Sequence, residues 1–145
     1  MRRRKFFTTG AIFSAYLSIW PASLLAGWSE KNFQRCTIEQ AFVNAFGARE
    51  PVRSDKITIV APPVAADGSA VPVQVISSLK GEEIYLFVEK NITPLVFKCT
   101  LKGNALPWFS LNVKMKESSA LYAVVKEGGD YFMTSVHVDV LAQAC

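Results

Sequence analysis

The sequence predicts an all-β domain, an immunoglobulin-like antiparallel β-sandwich of about seven strands preceded by one N-terminal amphipathic helix. Three observations carry this prediction. Seven short extended segments follow one another between residues 56 and 140, Gly and Pro turn residues separate most of them, and the last segment alternates in polarity along its length. Short strands at this spacing, with no helical periodicity between them, suit two sheets that each bury one face against the other.

The helix comes first. Ile38, Ala41, Phe42, Ala45 and Phe46 fall at i, i+3, i+4, i+7 and i+8, the stripe of a helix that buries one side. Thr37, followed three residues later by Gln40, makes a capping-box pattern, and Gly47 supplies a C-terminal stop. Residues 49–55, with Pro51, read as a connector. The strands are then Lys56 to Ala61, Ala70 to Ile76, Glu83 to Val88, Pro94 to Leu101, Trp108 to Met115, Ala120 to Lys126 and Tyr131 to Val140. Pro62-Pro63, Asp67-Gly68, Lys80-Gly81, Gly103-Asn104 and Gly128-Gly129 are the turns between them. On the last strand Phe132, Thr134, Val136, Val138 and Val140 share one face, with Met133, Ser135, His137 and Asp139 on the other. Pro72 places the second segment at a sheet edge or delays its start, because proline cannot donate to the ladder. The aromatic residues Tyr85, Phe97, Trp108 and Phe109 are expected mostly in the core, and any exposed ones would mark a partner surface.

The N-terminus speaks to location. Arg2-Arg3-Arg4-Lys5 precedes Phe6-Phe7 and a modest apolar segment from Gly10 to Trp20, too short to span a bilayer stably. Arg3-Arg4-Lys5-Phe6-Phe7 fits a twin-arginine export signal over residues 1–26, leaving a single domain over 27–145. An uncleaved anchor or a cytoplasmic basic tail are the other readings of this stretch. Removal of 1–26 takes four of the 16 basic residues and none of the 12 acidic ones, leaving 12 of each. The basic balance therefore belongs to the signal. It gives no argument for nucleic-acid binding, nor for membrane contact once the signal is cleaved.

Three cysteines, Cys36, Cys99 and Cys145, make an odd count in an oxidising compartment, so at least one is unpaired within the chain. Cys36 and Cys99 can bridge only if the helix packs against the sheet carrying Cys99 and their Cα atoms come close. Otherwise Cys99 is a small apolar strand residue. Cys145 stands last, after Leu141-Ala142-Gln143-Ala144, where a terminus is least constrained. It reads as an attachment point on a short arm, residues 141–145, and not as an autonomous nucleophile, because no neighbouring charge favours its thiolate. An interchain disulfide, or a truncation that happens to stop at a cysteine, accounts for the same position.

Little else carries chemistry. His137 is the single histidine, eight residues from Cys145 on an extended run, so a Cys–His pair requires the tail to fold back. One histidine and three dispersed cysteines build no metal site. Glu82-Glu83 precede a strand and point to opposite faces, which argues against paired acid–base work. Gly128-Gly129 is a hairpin turn with no helix behind it, so it is no phosphate loop. A carrier or binding module without a cofactor remains, and a thiol enzyme would need a base beside Cys145.

Several stretches taken together resemble the SoxY family, the carrier subunit of the periplasmic thiosulfate-oxidising Sox system. They are Arg3-Arg4-Lys5-Phe6-Phe7, the helix from Ile38 to Phe46 with Gly47-Ala48, and Ser54-Asp55-Lys56-Ile57-Thr58-Ile59-Val60-Ala61-Pro62. Asp67-Gly68, Val71-Pro72-Val73, Ile84-Tyr85-Leu86-Phe87-Val88-Glu89-Lys90-Asn91 and Thr93-Pro94-Leu95 complete the pattern over nearly the whole chain. The resemblance implies an immunoglobulin-like sandwich, a SoxZ-like partner in a heterodimer, and a periplasmic carrier that catalyses nothing alone. It implies inorganic sulfur intermediates held covalently on a cysteine near the C-terminus, which by position is Cys145. It also implies transient docking to a haem-containing enzyme that couples thiosulfate to the thiol, a hydrolase that releases sulfate, and a sulfane dehydrogenase. The tail departs from the family's glycine-flanked cysteine and reads Ala142-Gln143-Ala144-Cys145, which should give a stiffer, wider arm. A SoxY-like carrier with other partners, or a paralogue that only pairs with another chain, is the alternative reading.

Overall fold

The computed structural model describes residues 30–142, so the proposed export signal and Cys145 itself lie outside the described residues. A 3-10 turn (Glu30–Phe33) leads into helix α1 (Ile38–Phe46). Thr37 caps the helix, its hydroxyl accepting the Gln40 amide at 3.3 Å. Only half of the anticipated capping box forms, because the Gln40 side chain turns instead to Asn44, 3.0 Å away. The chain leaves the helix at Gly47, whose φ of 66° lies in the left-handed region that favours glycine.

All seven anticipated strands form. They are β2 (Ile57–Val60), β4 (Val71–Ser77), β5 (Glu83–Val88), β6 (Leu95–Thr100), β7 (Trp108–Val113), β8 (Ser119–Glu127) and β9 (Asp130–Val140). Two more were not legible: β1 (Val52–Arg53) and β3 (Val64–Ala65), each only two residues long and each parallel to β9. The large sheet runs β1-β9-β8-β5-β6, with β3 lying along the same free edge of β9 as β1, and the small sheet runs β2-β4-β7. Between β1 and β3 the chain crosses into the small sheet as β2 and returns. Pro72 proves to sit in the central strand of the small sheet and not at its edge. The reason it is tolerated is that β2 ends opposite Gln74, leaving the β2 side of Pro72 open.

The molecule has three layers, because the large sheet is covered on both faces. Ile84, Leu86, Val88, Leu121, Ala123, Val125 and Val138 meet Ile57, Ile59, Val71, Val73 and Val75 between the sheets. On the other face Tyr85, Phe87, Leu95 and Val124 receive Ile38, Ala41 and Phe46 of α1. Phe46 packs edge-on to Tyr85 at 5.0 Å between ring centroids, and Phe42 edge-on to Phe87 at 4.9 Å, the arrangement that ring quadrupoles favour. The unbroken apolar run of β5, Ile84 to Val88, follows from this double burial.

The layers also decide the cysteines. Cys36 packs in the cluster under the helix, whereas Cys99 is the register partner of Ile84, on the face turned to the small sheet. The two lie on opposite faces of the large sheet and are free thiols.

Candidate functional site

Strand β9 is the element that positions the arm. It is joined to β8 by a two-residue turn, Gly128-Gly129, with φ of 60° and 86°, and pairs with β8 from Asp130 to Val138. At its far end both edges are fastened. The Asp139 amide donates to the Pro63 carbonyl at 3.0 Å and the Leu141 amide to Ala65 at 3.0 Å, while the Val140 amide donates to Ser118 Oγ at 2.8 Å.

One further contact closes the root of the arm. The Gly68 amide donates to the Ala142 carbonyl at 2.9 Å, and the Gly68 carbonyl accepts from the Met115 amide at 2.7 Å. A Cβ on Gly68 would stand 2.4 Å from Met115 O and 2.9 Å from Val140 Cγ1, so only glycine fits between the arm and the β7–β8 connection. Asp67 stabilises this turn: its carboxylate accepts the Ser69 amide at 2.9 Å and the Ser69 hydroxyl at 2.7 Å. The Ser69 amide, then the hydroxyl, hold the Asp67 carboxyl below its ordinary pKa. The chain is therefore held as far as Ala142. Three residues remain to Cys145, a reach of about 10 Å at full extension.

The other residues raised by the sequence are not gathered around this root. His137 Nε2 lies 3.0 Å from Asp139 Oδ1 on the exposed outer face of β9, where the carboxylate occupies the ring nitrogen. Glu83 accepts the Tyr85 hydroxyl and lies 4.0 Å from Lys98, whereas Glu82 meets Lys126 at 3.9 Å and the Gly128 amide at 3.2 Å. Burial first, and then the hydrogen bond to Glu83, push the Tyr85 phenol up. Among the described residues no three His, Cys, Asp or Glu side chains converge as metal ligands, and no helix is long and apolar enough to cross a membrane. A groove of about 470 Å³ lined by Phe42, Val43 and Met133 opens beside α1. It lies nine residues along β9 from Ala142, about 30 Å away, too far for the arm to return to it. Sequence reasoning proposed Cys145, which lies outside the described residues, and missed Gly68, Ser118 and Ala65 as the anchors of the strand that leads towards it. The Asp67-Gly68 turn was the one available signal.

The arrangement is a sandwich whose last strand is pinned as far as Ala142, three residues before Cys145 in the sequence. Residues 42–145 match the profile of the family described as sulfur oxidation protein SoxY. The chain belongs to the SoxY family. Among solved structures it is similar to the sulfur carrier protein SoxY of Chlorobium limicola f. thiosulfatophilum, with 30% identity and a TM-score of 0.66, over 72% of this chain and 96% of that one. An engineered protein matches at 10% identity and a TM-score of 0.40, over 58% of this chain and 20% of that one. No curated protein sequence matches. The SoxY match spans both sheets and includes the anchors of the arm.

Proposed function

We propose that this SoxY-family chain is a periplasmic sulfur carrier, without catalysis of its own, that holds sulfur-oxidation intermediates covalently on Cys145 and presents them to partner enzymes while paired with a SoxZ-like subunit. The observation that carries the reading is the pinned root: a family whose structural relative is a sulfur carrier, with β9 fastened on both edges up to Ala142 and a thiol three residues further on. A carrier needs a stiff body and a short reach, so that the adduct enters a partner's site while the body stays outside.

The chemistry balances without a group on this chain. Cys145 thiolate and thiosulfate join through a new S–S bond to give the S-thiosulfonate, releasing two electrons to the haem-containing partner. Water then cleaves the bond between the terminal sulfur and the sulfane sulfur, releasing sulfate and a proton and leaving Cys145 as the persulfide. The chain contributes the thiolate and its presentation; oxidation and hydrolysis belong to the partners. The reaction of a thiolate with a sulfur centre needs little more than access.

Intact mass spectrometry of protein isolated without reductant from its native compartment tests this. Reducible additions of sulfur or of a sulfonated sulfur, mapped to Cys145 and absent in Cys145→Ser, are expected. An unmodified thiol, or only a disulfide-linked dimer lost in Cys145→Ser, overturns the carrier reading.

A further inference from the structure

The connection between β7 and β8, residues 114–118, holds the arm root at two points. Its Met115 amide is bonded to the Gly68 carbonyl, and Gly68 in turn holds Ala142, while Ser118 takes the Val140 amide directly. Neither sheet keeps the connection itself in place. The pairing of β7 with β4 ends at Val113, and that of β8 with β9 begins at Ser119.

One side chain supplies the missing support. Asn91, in the turn between β5 and β6, donates from Nδ2 to the Lys114 carbonyl at 2.6 Å and accepts the Lys116 amide on Oδ1 at 2.9 Å. A carbonyl only accepts and a backbone amide only donates, so a single orientation of the Asn91 amide serves both. In an extended chain the carbonyl of one residue and the amide two residues on lie on the same edge, where a neighbouring strand would take them, and the amide between them points to the other edge. Residues 114–116 alternate in this way: Met115 is fully buried, with exposed Lys114 and Lys116 on either side. Asn91 therefore takes the place of a strand along one edge of the β7 extension, and Gly68 occupies the opposite edge.

The turn that carries Asn91 is fixed in its own right. The Val88 amide donates to the Pro94 carbonyl at 2.8 Å and the Glu89 amide to the Ala120 carbonyl at 3.0 Å. The Lys90 amide donates to Oγ of the buried Ser119 at 3.0 Å. Adjacent serines thus serve different neighbours, Ser118 the arm and Ser119 the turn, and the connection lies between the two.

We propose that Asn91 is a positioning residue for the delivery of Cys145: by bracing the 114–118 connection it fixes the direction in which the arm leaves the body. The inference rests on the carrier reading above and adds a residue of this chain that governs it. The reasoning is that of a lever. The last held atom is the Ala142 carbonyl, and three residues beyond it reach about 10 Å, so a tilt of about 30° at the root moves the tip by about 5 Å. Reaction geometry is far less tolerant, since a misplacement of about 1 Å can cost about a hundredfold in rate. Without the Asn91 side chain, the Lys114 carbonyl and the Lys116 amide turn to water, and the backbone that presents the Met115 amide to Gly68 loses one of its two edges. The arm then samples more directions. A carrier that is correctly aimed for only part of the time binds more weakly by that fraction, with the step that follows entry unchanged.

The test pairs steady-state loading of Cys145 by the thiol-coupling haem enzyme from the same cells, with the full chain varied and thiosulfate saturating, with native-state hydrogen exchange. Asn91→Ala is expected to raise KM about fivefold or more, the population shift that one net hydrogen bond supports, with kcat within about twofold. Exchange of the Met115 and Gly68 amides should quicken by a similar factor, while the β5–β8 ladder keeps its protection and shows the body folded. Asn91→Asp has the same size but sets a carboxylate oxygen against the Lys114 carbonyl, so it should raise KM at least as far; a residue that merely filled space would be rescued by it. Thr37→Ala, which loses the helix cap and has no bond to this network, controls for lost stability and should match wild type in KM and in exchange at Met115. Unchanged KM in both Asn91 variants, or a raised KM with unchanged exchange at Met115 and Gly68, overturns the inference and leaves the carrier reading standing. A KM raised equally by Thr37→Ala overturns it too, because stability alone then accounts for the effect. A wild type that is never loaded at Cys145 overturns the carrier reading and the inference with it.

Discussion

Replacing Gly68 with alanine tests whether the arm root is built as described. The new methyl would stand 2.4 Å from a backbone oxygen, that of Met115, and 2.9 Å from Val140. A backbone carbonyl cannot swing aside as a side-chain tip can, so the Asp67–Ser69 turn must move. Forced overpacking of this kind costs about 1–3 kcal/mol. Displacing the turn also weakens the bonds to Ala142 and from Met115, each worth about 1 kcal/mol. The expected loss is about 3 kcal/mol, or roughly 12 °C in Tm for a domain of this size. Gly103→Ala is the comparison, because that residue has a φ of 61° but nothing within 4 Å of its Cβ. Its cost is conformational only, about 1 kcal/mol. Urea unfolding gives the two values, and native-state hydrogen exchange locates the damage, with the Gly68 and Leu141 amides losing protection in Gly68→Ala alone. If Gly68→Ala proves as stable as Gly103→Ala and the Leu141 amide stays protected, the arm is not held by this contact.

Phe46→Ala should cost 3–5 kcal/mol, because it empties the centre of the aromatic cluster under α1, and near-ultraviolet circular dichroism should weaken with it. Thr37→Ala should cost about 1 kcal/mol in the same unfolding assay through loss of the cap. The Tyr85 phenol, raised mainly by burial, keeps its proton when folded, whereas the unfolded chain releases it near pH 10. Stability from this residue is thus complete below about pH 10 and lost as pH rises beyond it, so the urea midpoint should fall more between pH 9 and 11 in wild type than in Tyr85→Phe. Peptide mapping after mild oxidation should find no Cys36–Cys99 link, and such a link in folded protein would contradict their placement on opposite faces of the sheet.

The strands that sequence reasoning recovered are those with a local cause. Turn glycines and prolines bound them, and the alternation along β9 correctly divides Phe132, Val136 and Val138 from Met133. The helix was legible for the same reason, its stripe facing one way. β1 and β3 have no such cause: two residues each are strand only because β9 lies beside them, a contact 75 or more residues away in sequence. The second buried face of the large sheet was written in β5, where Tyr85 and Phe87 interrupt any polar side, yet it became clear only once α1 was seen against it. At the site, Cys145 was proposed from its position alone and lies outside the described residues. Gly68 read merely as a turn, because nothing in Asp67-Gly68 reveals that Ala142 would be bonded to it.

The pairing of β9 also sets how the protein bears load. A partner that draws Cys145 into a narrow channel pulls nearly along the axis of β9. The hydrogen bonds to β8 on one side, and to the β1 and β3 segments on the other, lie across that axis and must fail together in shear; they cannot be unzipped one at a time. The same strand pulled from its Asp130 end would first open the Gly128-Gly129 turn and peel. Tension from the cysteine is thus spread over the whole sheet, and withdrawing the arm from a tight site need not unravel the body to which it is attached.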